Sequence, residues 1–207
     1  MLDLGTTFLQ SVERRPQRLA IVDGEVRLTY RAWHERIARV AKGLARAGLG
    51  RGDHLVVAMQ HRWEMATLHW ACQFLGVVVT PLNWRSKDDE VEYCVTDAGA
   101  RAIAYEPVSE AAVAGSPACR GIARIAALGA AGGTLAFDDL LASDAGNLVP
   151  QARAEDISVM LYTSGTTGRP KGVPRRHRAE RAAALAHVAQ NTYRVGEATL
   201  GVMPLYH

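Results

Sequence analysis

Strand-sized apolar runs alternate with helix-periodic segments along most of this chain, and that alternation constrains its fold more than any other feature. Leu55 to Met59, Val77 to Leu82 and Ala102 to Tyr105 are almost wholly apolar. Between them, Trp63 to Leu75 reads as a helix, and Ser86 is placed to cap another over 87–97. Asp88, Asp89 and Glu90 fall in the first turn of that second helix, where the helix dipole favours acids. Strands without a polar face need cover on both sides, and the helices that return the chain between parallel strands supply it. The expected fold is α/β: a parallel, doubly wound sheet with flanking helices.

The flanks are legible in the same way. Leu4 to Arg14 reads as a short helix ended by Pro16. Leu19 to Val22 and Val26 to Leu28 flank Asp23-Gly24, a hairpin signal. Thr29 is a suitable N-cap for an amphipathic helix over 30–47, with Trp33, Ile37, Val40, Ala41 and Leu44 at helical spacing and Gly48 and Gly50 as stops. Residues 111–154 are Ala- and Gly-rich and weakly patterned; one strand is placed near Ile122 to Leu128, a short helix near Phe137 to Leu141, and loop elsewhere. Ile157 to Thr163 reads as a strand, Ala179 to Thr192 as a helix and Thr199 to Met203 as a further strand.

Composition narrows the function classes. The 207 residues are 48% hydrophobic and 22% charged, ordinary for a globular protein. The formal net charge of +3 is low for a nucleic-acid binder. Cys72, Cys94 and Cys119 are far apart with no CxxC pair, which suits three free thiols in a reducing compartment. The N-terminus resembles neither a signal nor a transit peptide, and no run approaches the ~18 apolar residues of a membrane span. The expectation is a cytoplasmic protein. His54, His61 and His69 lack the i, i+4 pairing of a helical metal site, so no metal ligands are assigned, while Trp63, Trp70 and Phe74 read as a core stripe.

Chemistry concentrates in Tyr162-Thr163-Ser164-Gly165-Thr166-Thr167-Gly168-Arg169-Pro170-Lys171-Gly172. Four hydroxyls occupy the five positions from Thr163 to Thr167, and Gly165, Gly168 and Gly172 permit backbone angles closed to other residues. Such a loop turns successive N–H groups and hydroxyls toward one anion, and it follows a buried strand, where open α/β sheets bind ligands. Residue type, spacing and position agree on a polyphosphate site. It is not a Walker A loop, because Pro170 precedes Lys171 and Gly172 follows it; no G-x-G-x-x-G dinucleotide fingerprint is present, and Ser164 lacks a Gly-x-Ser-x-Gly elbow. The only lysines are Lys42, Lys87 and Lys171 among 24 cations, so one of three falls in this loop. Downstream, Arg169, Lys171, Arg175, Arg176, Arg178 and Arg181 face one acid, Glu180. Cations at a helix N-terminus oppose its dipole, so either an anion sits close by or these are solvated arginines over a surface turn.

The segment Tyr162 to Gly172 strongly resembles the phosphate-loop signature of the adenylate-forming enzymes: acyl- and aryl-CoA synthetases, peptide-synthetase adenylation domains and firefly luciferase. Three stretches agree in order along the chain. Leu28-Thr29-Tyr30 is similar to an early family element; Gly76 to Arg85, ending Thr80-Pro81-Leu82-Asn83-Trp84-Arg85, is similar to the second motif in its CoA-ligase form; and Met203-Pro204-Leu205-Tyr206-His207 is similar to the element beside the carboxylate pocket. The resemblance implies a two-step ligation, in which a carboxylate and ATP give an acyl-adenylate and CoA then takes the acyl group as a thioester. By carry-over, Thr163, Ser164, Gly165, Thr166, Thr167 and Gly168 hold the β- and γ-phosphates, Lys171 supports them, and His207 orients the carboxylate or walls the acyl pocket. The substrates implied are an aromatic or fatty acid, ATP and CoA, with Mg2+ bound by an acid beyond His207. The resemblance further implies that 1–207 is an incomplete N-terminal AMP-binding domain, lacking the rest of that domain and the small C-terminal one, with no ligase activity alone. A non-catalytic nucleotide-binding or interaction module is the rival reading. An amino-acid adenylation domain is a weaker one, because Asn83 stands where Leu-Asp-Pro is usual.

Overall fold

A computed structural model describes residues 2–163 and 169–206. Helix α1 (Leu4–Arg14) starts on Asp3, whose Oδ1 accepts from the Thr6 N–H at 2.8 Å. Strands β1 (Leu19–Asp23) and β2 (Val26–Thr29) pair antiparallel around Gly24, whose φ of +55° the tight turn requires. The Thr29 hydroxyl accepts from the Ala32 N–H at 3.2 Å and opens α2 (Tyr30–Arg46).

The central unit follows in strict alternation: β3 (His54–Ala58), α3 (Trp63–Leu75), β4 (Val78–Pro81), α4 (Asp88–Asp97) and β5 (Ala102–Tyr105). Then come α5 (Glu110–Gly115), β6 (Ala123–Ala126), β7 (Leu135–Ala136), α6 (Phe137–Leu141), β8 (Ile157–Thr163), β9 (Lys171–Arg176) and α7 (His177–Gln190). Seven strands form one sheet in the order β7-β6-β5-β3-β4-β8-β9. Every neighbouring pair is parallel except β8 and β9.

Successive residues of a strand face opposite ways, so each central strand feeds two cores. Leu55 and Val57 of β3, Val79 of β4 and Ala104 of β5 pack with Ile37 and Leu44 of α2 and Leu68 and Phe74 of α3. Val56, Ile103 and Tyr105 pack on the other face with Val91, Cys94 and Val95 of α4 and Val113 of α5. The sheet is thus mostly parallel, wound on both faces, as the apolar strands imply. The aromatic stripe of α3 is core: Phe8 stacks 4.4 Å from Trp70, and Trp63 meets Phe137 at 5.8 Å. The three cysteines are free and buried, and burial pushes each thiol up, that of Cys94 to about 12.

The structure departs from the sequence expectations at five places. Lys87, not Ser86, precedes α4; its N–H donates to Glu90 Oε2 at 2.9 Å, while the Ser86 N–H is spent on Asn83 O. Residues 111–154 hold more than one strand and one helix: α5, β7 and a 3-10 turn at Pro117–Gly121 also lie there. The chain from Lys171 is strand β9, not loop. Helix α7 begins at His177 rather than Ala179. Thr199 to Met203 is not a strand; among the described residues nothing pairs with it, and without a ladder its backbone groups go to solvent, with Leu200 86% exposed.

Candidate nucleotide-binding site

The glycine- and hydroxyl-rich segment joins the carboxyl end of β8 to the start of β9. Strand β8 lies beside β4 in the parallel part of the sheet, so its exit opens on the edge where α/β sheets take ligands. Strand β9 returns antiparallel with Thr163 opposite Lys171, Tyr162 opposite Gly172 and Leu161 opposite Val173. Thr163 and Lys171 therefore face each other across the mouth of the hairpin, both exposed. Ser164, Gly165, Thr166, Thr167, Gly168 and His207 lie outside the described residues.

Two features of β9 explain why it reads as loop. Pro174 donates no ladder hydrogen bond, which an edge strand tolerates, and β9 is the edge. Gly172 has no side chain to pack because there is no room for one: a Cβ there would lie 2.9 Å from Met160 Sδ and 3.3 Å from Tyr162 Cζ. Close approach, and not a positive φ, is what demands glycine at this position.

The cations of the basic cluster differ in their partners. Arg175 pairs with Glu180. Arg176 and Arg178 share Glu155 at 3.5 and 3.2 Å, and Arg181 Nε donates to Thr7 Oγ1 at 3.1 Å. The Arg175 pair joins β9 to α7, and the other three arginines tie β9 and α7 to the body of the fold. Arg169 lies over the Tyr93 ring at 5.6 Å. Among the described residues Lys171 makes no ion pair. His177 is a core histidine: fully buried, it accepts the Leu4 N–H at Nδ1 (3.2 Å), and burial lowers its pKa against the pull of Asp3 and Asp156.

Sequence reasoning missed the support from α4. The Tyr93 hydroxyl donates to Pro170 O at 2.9 Å, and the Tyr162 hydroxyl donates to Asp97 Oδ2 at 2.7 Å. Burial first, and Asp97 second, raise the Tyr162 phenol, which keeps it a donor. The i, i+4 spacing of Tyr93 and Asp97 puts both on one helix face, but it does not say what that face meets. Further along the same sheet edge, Glu106 is buried at the end of β5, accepts the Gln60 N–H and pairs with Arg62 at 3.3 Å. After β4, Arg85 stacks on Trp84 at 3.9 Å.

This arrangement has a match among known families: the profile of the AMP-binding enzymes fits residues 8–207. The chain belongs to the AMP-binding enzyme family. It is similar to the 4-hydroxybenzoate–CoA/benzoate–CoA ligase of Rhodopseudomonas palustris, at 33% identity over 82% of this chain and 32% of that protein. It is also 28% identical to a long-chain-fatty-acid–CoA ligase of Mycobacterium tuberculosis, over 100% of this chain and 41% of the relative. The chain thus spans about a third to two fifths of the length of these relatives. Among solved structures, a long-chain-fatty-acid CoA ligase from R. palustris superposes with a TM-score of 0.90 at 27% identity, covering 100% of this chain and 52% of that one. ATP-bound MatB from the same organism superposes at 0.87 with 26% identity, over 99% and 41%. The AMP-binding fold of this chain therefore extends through the β8–β9 hairpin and α7. Among the described residues no helix is long and apolar enough to cross a membrane.

Proposed function

We propose that residues 1–207 form part of the large N-terminal domain of an AMP-forming carboxylate–CoA ligase, and that they grip the triphosphate of ATP at the end of β8. The mouth of the hairpin carries this reading. Lys171 stands opposite Thr163 without an ion pair among the described residues, while the arginines from 175 to 181 are committed to other partners. A compact ammonium on a flexible stem suits a mobile polyphosphate.

In this reading Thr163, Ser164, Gly165, Thr166, Thr167 and Gly168 donate to the β- and γ-phosphates, and Lys171 offsets their charge. A carboxylate oxygen of the acid attacks the α-phosphorus. The bond to the bridging oxygen breaks, and pyrophosphate leaves with the electron pair. Negative charge grows on oxygens that pre-placed donors already hold, which is where such donors lower a barrier most. The CoA sulfur then attacks the acyl carbon, its proton is lost, and AMP departs to leave the thioester. His207 orients the carboxylate or walls the acyl pocket. Among the described residues no three His, Cys, Asp or Glu side chains cluster to hold a metal ion. The relatives' names support an aromatic or fatty acid as substrate.

Two measurements test the reading. ATP titrated into the 207-residue chain should bind weakly, and Lys171→Ala should weaken the binding by roughly tenfold to a hundredfold. Carboxylate-dependent ATP–pyrophosphate exchange should be absent from this chain and present in the protein at its full natural length with aromatic or fatty acids. Exchange driven only by amino acids would move the assignment to amino-acid adenylation. ATP binding without any exchange at full length would select the non-catalytic module.

A further inference from the structure

We propose that Tyr93 and Asp97 of α4 are positioning residues that set the spacing of Thr163 and Lys171 for a polyphosphate; the proposal rests on the reading of the hairpin mouth as the ATP site. The two hydroxyl bonds reach opposite sides of that mouth. Asp97 holds Tyr162, next to Thr163 on the outgoing strand, and Tyr93 holds the carbonyl of Pro170, next to Lys171 on the returning one. The two tyrosine rings meet edge to face at 6.3 Å and 78°, which joins the two ties into one unit.

The anchor is rigid where the mouth is not self-supporting. Helix α4 is seated in the second core through Val91, Cys94 and Val95, all buried. Lys171 and Thr163 are exposed and end their strands, so the ladder restrains them from one side only. Helix fraying and strand fraying concentrate at such ends. Tying both strand ends to one core-bound helix supplies the missing restraint.

The chemistry of the ties also suits an anion. The oxygen of Pro170 is a partial negative charge beside Lys171, and the Tyr93 hydroxyl caps it. Asp97 is an acid on this helix face, and its Oδ2 accepts the Tyr162 hydroxyl proton. Arg169 rests over the face of Tyr93, which retains a second cation next to the mouth. Asp97 is exposed, while Tyr93 and Tyr162 are partly buried at the margin of the second core, with their hydroxyls bonded to Pro170 O and Asp97 Oδ2.

The test compares the wild-type chain with Tyr93→Phe, Asp97→Ala, Asp97→Asn and Lys171→Ala. Each is measured for thermal unfolding, for amide exchange along β9 and β3, and for affinity toward ATP and inorganic tripolyphosphate. Tyr93→Phe and Asp97→Ala should each weaken both ligands by up to about tenfold, the loss of one hydrogen bond, with Tm nearly unchanged. Their exchange should quicken at Lys171 and Gly172 and stay constant in β3. Asp97→Asn, whose amide oxygen still accepts from Tyr162, should restore affinity and protection. Wild-type affinity in both Tyr93→Phe and Asp97→Ala, alongside a loss in Lys171→Ala, would overturn the positioning role and leave the ATP site standing. Faster exchange in β3 as well as β9 would overturn it too, as general destabilisation. A wild-type chain as blind to ATP as Lys171→Ala would overturn the nucleotide reading and the positioning role with it.

Discussion

The centre of the sheet and its β8–β9 edge are built on opposite principles. Strands β4 and β5 are buried at every position, and β3 at all but its first. Strand β9 has no buried residue, and α7 buries only His177. The centre is held by apolar area, which is non-directional and large in sum. The edge is held by separate polar ties: His177 to Leu4, Arg181 to Thr7, Arg176 and Arg178 to Glu155, and α4 to Tyr162 and Pro170. In the proposed reading, the apolar centre is the support and the lightly held edge is where the polyphosphate binds.

The largest expected contrast comes from deleting side chains on each side. Phe74→Ala empties a fully buried position and should cost about 3–5 kcal/mol in denaturant unfolding. Leu185→Ala on α7, where the side chain is 52% exposed, should stay within about 0.5 kcal/mol. Equal losses would mean that α7 is packed as firmly as the centre.

Next is Lys171→Ala, which should leave Tm unchanged and weaken ATP or tripolyphosphate by roughly tenfold to a hundredfold, the range for a charged hydrogen bond. Calorimetry or ligand-observed NMR reads it. Unaltered affinity would remove the cation from the site.

Acidification should sharpen the comparison from the edge side. Burial lowers His177, and it lowers half-buried His69 to about 4, with the charge of His177 adding to the effect. Both are neutral in the folded state and bind protons more readily when unfolded. Their contribution is therefore complete above about 6.5, the ordinary histidine value, and declines as pH falls from there toward 4. A protonated Nδ1 can no longer accept the Leu4 N–H. Amide exchange should show the Leu4 N–H losing protection before β3 and β5 do, and His177→Gln should flatten the pH dependence. Simultaneous loss along the whole sheet would show the edge and centre to be one cooperative unit.

The smallest effect belongs to Glu155→Ala. It removes the shared partner of Arg176 and Arg178, both more than half exposed, and should cost no more than about 1 kcal/mol, less at high salt. A larger loss would make that pair of bridges a principal tie of the edge.

The central fold was readable because its signals are local. Helix Trp63–Leu75 and strand Ile157–Thr163 fall where their apolar period and flanking residues put them. The region 111–154 resisted because its short elements are spelled in Ala and Gly, which carry little period. Strand β9 resisted because Pro174, Arg175 and Arg176 look like loop, and only its place at the sheet edge makes them acceptable. The site was half legible. Glycines and hydroxyls singled out the segment after β8 as a candidate, but they left open whether the basic cluster next to it meets an anion or solvent, and most of that cluster is bonded to acids or a hydroxyl of the chain.

By itself, then, the sequence determined a mostly parallel sheet wound on both faces, a glycine- and hydroxyl-rich segment following one strand, and membership in a family that such a segment marks. Each of these is written in residue type and short-range spacing, because hydrophobic period and turn chemistry act over a few residues. Only the tertiary structure decided which cations have ion-pair partners among the described residues and which helix bonds to both sides of the hairpin. Tyr93 and Pro170 are 77 positions apart, and Asp97 and Tyr162 are 65 apart. Contacts of that separation exist only once burial of the core has brought α4 beside β8, and no local rule anticipates them.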